Sequence, residues 1–161
     1  MGKNSREIRK TLKGVGNLDY VEVKHVPMKS YAGYGDSVDA HVLAEIEKQV
    51  ARFLINERVH ARGLEVEYFR NIFGLSQRDF AQKLGLSHVA ILKWEKAKHK
   101  PLDLVNEVAV KALVAGMLGL KLPASIEALS GEGEFPKKIV LEYSTSGVKS
   151  KKTQLDGVEN T

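Results

Sequence analysis

The stretch Leu75–Pro101, LSQRDFAQKLGLSHVAILKWEKAKHKP, constrains the fold more than any other part of the chain. It holds two short segments with helical spacing, each preceded by a serine, Ser76 and Ser87, that can cap a helix. Only Gly85-Leu86 separates them, and a glycine there takes a left-handed backbone at little steric cost. Phe80, Ala81 and Leu84 share one face of the first segment; Ile91 and Trp94 share one face of the second. Ala81 is small enough to let the two helices cross closely. The spacing predicts a helix pair held by apolar contacts against a helix before it and a helix after it.

The exposed face of the second helix then carries His88, Val89, Leu92, Lys93 and Lys96. Lysine can donate to guanine or to phosphate, valine can touch a thymine methyl, and histidine can donate to a base edge or a phosphate. Ser87 caps this helix and stands beside those residues. Ser76 and Gln77 open the first helix, where free backbone N–H groups favour a phosphate. Lys98 and Lys100 follow the second helix and would meet a flanking nucleic-acid backbone. The candidate DNA-contacting residues are therefore Gln77, Ser87, His88, Val89, Lys93, Lys96, Lys98 and Lys100.

The rest of the chain fits around this centre. Leu18–Met28 alternates and is rich in β-branched residues, which predicts a short strand ending near Pro27. Asp39–Arg62 predicts an amphipathic helix through Val42, Leu43, Ile46, Val50, Phe53 and Leu54. Gly63 breaks that pattern, and Leu64–Phe73 predicts a further helix stopped by Gly74. Leu102–Leu118 is apolar almost all round, as expected of a helix central in a core or shared between subunits. Ser125–Leu129 can add a turn, and Lys138–Tyr143 can form a strand. The expected organisation is a flexible basic arm over 1–17, a strand-plus-helix segment over 18–61, a DNA-binding domain over 62–130, and a strand with a polar tail over 131–161.

Composition narrows the function. The net charge is +5, and positive charge concentrates in two places. Residues 1–30 hold seven Lys/Arg against three acids, and residues 61–100 hold eight against four. The absence of cysteine excludes disulfides, thiolate metal sites and a cysteine nucleophile. His25, His41, His60, His88 and His99 are scattered and form no HExxH or His/carboxylate cluster. No glycine pair opens a phosphate loop, since no Gly-Lys-Ser/Thr follows. The reading is not an enzyme, with no catalytic residue, no metal and no cofactor. The N-terminal stretch lacks the apolar core of a secretory signal, and no run is long enough to span a bilayer, so a cytoplasmic, nucleoid-associated protein is expected.

Leu75-Ser76-Gln77, Ala81, Leu84-Gly85-Leu86-Ser87, Ile91, Trp94-Glu95 and Pro101 together resemble the helix-turn-helix of the Xre family, the Cro and phage-repressor group. The resemblance covers about 64–118. It implies a mainly α fold: a five-helix lambda-repressor-like DNA-binding domain, here with a small N-terminal α/β segment and a short C-terminal strand. It implies that Gln77 buttresses or touches phosphate, that His88, Val89 and Lys93 read bases, and that Lys98 and Lys100 contact backbone. It assigns Arg70 and Glu95 to an internal ion pair. Ala97 departs from the family's usual glycine and leaves room for a longer recognition helix. The implied function is a sequence-specific, autoregulatory transcriptional repressor that binds double-stranded DNA as a homodimer, through the Leu102–Leu118 helix or the C-terminal strand. A wider similarity is to antitoxins of toxin–antitoxin pairs, some with an N-terminal zinc domain built on cysteine pairs; this chain has none of those cysteines. In that alternative, the Asp39–Arg62 helix or the N-terminal strand would bind a toxin protein.

Overall fold

The computed structural model describes residues 5–144 and 147–149. These residues form five α-helices, a 3-10 turn and a five-stranded sheet, and fall into two compact units: 5–49 with the described residues from 136 onward, and 50–135. The mainly α expectation thus suits the second unit, while the first is built on a sheet.

The sheet begins where a loose arm was expected. Strand β1 (Ser5–Val15) pairs antiparallel with β2 (Leu18–Tyr31) across the two-residue turn Gly16-Asn17. The expected flexible arm over 1–17 is corrected from Ser5 onward, because backbone pairing and the burial of Val15 hold it in place. Strand β2 also runs past Pro27, which pairs with Arg9. Lys10 pairs with Val26 and Leu12 with Val23, so β2 carries one extra residue between these pairs, with His25 at a φ of 60°. That bulge shifts the side-chain alternation by one, and Val21, Val23, Val26 and Met28 are all buried. Strand β3 (Gly35–Ser37) continues the sheet beside the end of β2. Strand β4 (Ile139–Ser144) runs parallel to β2, with Val21 opposite Ile139 and Val23 opposite Leu141, all four buried. Strand β5 (Gly147–Lys149) pairs with β4. The C-terminal strand is therefore interior to the sheet. The polar tail expected past it lies, beyond Lys149, outside the described residues.

Helix α1 (Ala40–Asn56) is shorter than the 39–62 expected, and ends before a turn in which Arg58 takes a φ of 54°. In the second unit follow α2 (Gly63–Ile72), α3 (Gln77–Leu84), α4 (His88–Lys96), α5 (Leu104–Met117) and a 3-10 turn at Ile126–Leu129. Four α-helices and one 3-10 turn thus occupy 62–130, where five helices were expected. Val50 and Leu54 from the end of α1 are buried in this second unit with Val66, Tyr68, Phe69, Phe80, Ile91, Val110 and Val114. The rings of Tyr68 and Phe69 meet edge to face at 6.2 Å.

Candidate nucleic-acid interface

Local chemistry sets each end of the helix pair. The Ser76 hydroxyl accepts from the Asp79 N–H at 3.0 Å, which satisfies one free donor at the start of α3. Asp79 in the first turn and Lys83 in the last complement the helix dipole. Gly85 closes α3 at a φ of 69°, and its N–H donates to Ala81 O and Gln82 O. Helix α4 then starts after Ser87, whose side chain makes no capping hydrogen bond. Lys93 and Lys96 sit in the last turn of α4, where cations are favoured. The helix stops at Lys96, so Ala97 does not extend it as its replacement of glycine allowed.

Phe80, Ala81 and Ile91 are fully buried and pin α4 against α3. A polar core reinforces them. Arg70 Nη2 donates to Glu95 Oε1 at 2.6 Å, Arg70 Nη1 donates to Leu75 O at 2.8 Å, and Glu95 is buried. Gln77 Nε2 donates to Glu95 Oε2 at 3.3 Å. One carboxylate on α4 thus gathers a side chain from α2 and another from the first turn of α3. The ion pair implied by the family resemblance is present.

The candidate contacts divide by this geometry. Ser87 is exposed just before α4, His88, Lys93 and Lys96 are exposed on it, and Val89 is 44% exposed although apolar. Lys98 and Lys100 are exposed in the loop behind α4. Gln77 is half-buried, with its amide turned inward to Glu95. Arg78 and Lys83 are exposed cations on α3 that the motif did not single out. A cleft between the end of α4 and the start of α5 is lined by Lys93, Trp94, Lys100 and Asn106, which places two cations at its rim.

The structure adds supporting residues that sequence reasoning missed. Gly63 lies against the end of α4: a Cβ there would stand 1.8 Å from Trp94 O. It therefore serves close helix packing rather than a helix break. Glu107 and Lys111 are buried on α5. Glu107 Oε2 accepts from Ala61 N at 2.6 Å, its other oxygen accepts from Gly131 N, and Lys111 Nζ donates to Val59 O at 2.6 Å. Burial pushes the Lys111 amine down to about 8, against the pull of nearby Glu107. The apolar run around both residues hid them, since charged side chains are seldom fully buried.

Among the described residues no group of three or more His, Cys, Asp or Glu is placed to hold a metal ion, and no helix is long and apolar enough to cross a membrane. No curated protein and no solved structure matches the chain. A family model described as helix-turn-helix matches residues 66–104, from α2 to the first residue of α5. That stretch is accordingly a helix-turn-helix of the kind that DNA-binding transcription regulators use.

Proposed function

We propose that the chain is a transcriptional repressor that binds a specific double-stranded DNA operator, that of its own operon, and blocks transcription there. The observation that carries this is the outward face of α4. His88, Val89, Lys93 and Lys96, with Ser87 just ahead of them, are exposed on a helix whose other face is locked by Ile91 and Glu95. Such a helix enters a major groove with its readers already in place. His88, Val89 and Lys93 supply base discrimination; Lys96, Lys98 and Lys100 supply phosphate contacts. No cofactor or catalytic step is part of this reading. Acting on chromosomal DNA, the protein works in the cytoplasm at the nucleoid.

The working form is a homodimer, because one helix-turn-helix buries little surface and two can read a palindrome with half-sites about 34 Å apart. Leu104 and Val105 at the start of α5 are 58% and 76% exposed and favour α5 for that contact. Strand β4 is paired on both sides, which argues against the C-terminal strand.

The separate sheet-bearing unit favours a second reading, an antitoxin that also neutralises a toxin protein. A compact unit with its own buried residues is more than operator binding alone requires. Co-purification of the product of an adjacent small gene, dependent on residues 5–49, would support it.

The test is binding of purified protein to a labelled duplex of its own upstream region at two salt concentrations, with Lys93→Ala alongside. Tight, salt-sensitive binding weakened by the substitution is expected. Absence of binding to this region and to random duplex would sink the repressor reading.

A further inference from the structure

The loop that carries Lys98 and Lys100 is not held by α4 alone. Leu64 N donates to Lys98 O at 3.0 Å, and Leu102 N donates to Ala61 O at 2.9 Å. Arg62 and Pro101 form an isolated antiparallel bridge between these two bonds. Residues 61–64 and 98–102 are thus laid side by side by their backbones. Arg62 lies at the centre of this seam. Its Nε and Nη2 donate to the buried Glu65 at 2.8 Å each, and its side chain is only 13% exposed. Its guanidinium carbon stands 3.6 Å from the centre of the Phe135 ring, and its Nη1 is 3.4 Å from His99 Nδ1.

A guanidinium is planar, presents donors in a fixed fork and stacks on an aromatic face, so one side chain can fix three neighbours at once. Here they are the first turn of α2, the segment at Phe135, and His99, which lies between Lys98 and Lys100. Held against Glu65 and covered by Phe135, Arg62 is not itself presented to a phosphate.

We infer that Arg62 is a positioning residue for DNA binding: it fixes the 98–102 loop so that Lys98 and Lys100 meet the duplex backbone. This rests on the operator-binding reading above. Ordered lysines bind phosphates without first having to be immobilised, and loosening their support weakens every sequence alike.

The experiment compares wild type with Arg62→Ala, Arg62→Lys and Phe135→Ala, each also in a Lys98→Ala/Lys100→Ala background. Operator and random duplex are titrated at several salt concentrations, and hydrogen exchange at the Leu64 and Leu102 amides is followed without DNA. R62A and R62K should both lose affinity about five- to twenty-fold for either duplex, with a shallower salt dependence, and speed exchange at both amides. In the doubly substituted background they should add nothing. Full affinity in R62K would overturn the inference, since a lysine keeps the charge but not the fork. An undiminished effect of R62A in that background would overturn it too. F135A, which leaves the charged groups intact, should give a weaker version of the same loss; unchanged affinity and exchange in R62A, with F135A folded and also unchanged, would count against it. If wild type binds no duplex at all, the operator reading falls and this role with it.

Discussion

Arg70 on α2 and Glu95 on α4 are joined by three side-chain hydrogen bonds, the shortest 2.6 Å, with 14% and 5% of their side chains exposed. This pair sets the angle at which α4 is presented, since Gln77 and the Leu75 carbonyl join the same cluster. Removing one partner leaves the other buried without its counter-charge. Glu95→Ala should therefore destabilise the fold by about 3–5 kcal/mol in urea denaturation. A loss below about 1 kcal/mol would show that the cluster is not what holds α4.

Gly63 makes a sharper packing prediction. A methyl group there would meet Trp94 O at 1.8 Å and Ala97 O at 2.9 Å, both backbone atoms that cannot swing aside. Gly63→Ala should cost about 1–3 kcal/mol or more. Trp94 is the only tryptophan in the chain, so its emission reports the displacement of α4 directly. Unchanged stability and emission would contradict the close approach.

The helix pair was legible because its signals are local. Ser76, Gly85 and the apolar spacing of Phe80, Ala81 and Ile91 act within a few residues of themselves, and the observed helices start and stop where those residues direct. The sheet was harder to read. Residues 5–15 are crowded with Arg6, Arg9, Lys10 and Lys13, and their strand exists because β2 pairs with it. Gly16-Asn17 between two runs is the local signal of a hairpin, and the basic charge of the residues before it masks that signal. The parallel pairing of β4 with β2 joins residues more than a hundred positions apart, and no local pattern encodes it. Glu107 and Lys111 show the same limit at the level of single residues: their partners Val59, Ala61 and Gly131 come from distant segments.

The strand over residues 5–15 can be tested against a loose arm. Val15 is 1% exposed where β1 turns into β2. A carboxylate there would be buried without a partner, so Val15→Asp should lower stability by about 3 kcal/mol or more, with loss of β signal in circular dichroism. In a mobile arm the same change would be silent.

Lys111 gives the protein a definite alkaline response. Burial lowers its amine from 10.5 to about 8, so between these values the unfolded chain holds a proton that the folded chain has released. Stability rises with pH wherever the unfolded state binds more protons. The penalty of burying the charge is fully present below pH 8 and is relieved as pH climbs from 8 toward 10.5. Relative to Lys111→Met, wild type should gain up to about 3 kcal/mol across that window in urea titrations. A difference that stays flat through the window, or falls, would mean that Lys111 does not titrate there.

The two classes of lysine at the interface should separate by what they discriminate. Lys93 is exposed on α4 beside Val89, where a side chain entering the major groove meets base edges. Lys98 is exposed in the loop after the helix, and on the proposed function it would meet only the duplex backbone. Lys93→Ala should cost about 1–3 kcal/mol on the operator and relax preference at one base pair, leaving random duplex little changed. Lys98→Ala should weaken operator and random duplex by the same factor and lower the salt slope by about one. A competition series in which each operator base pair is changed in turn reads both effects at once. If Lys98→Ala altered the preference at a single base pair while Lys93→Ala weakened all sequences equally, the assignment of α4 to the groove would have to be reversed.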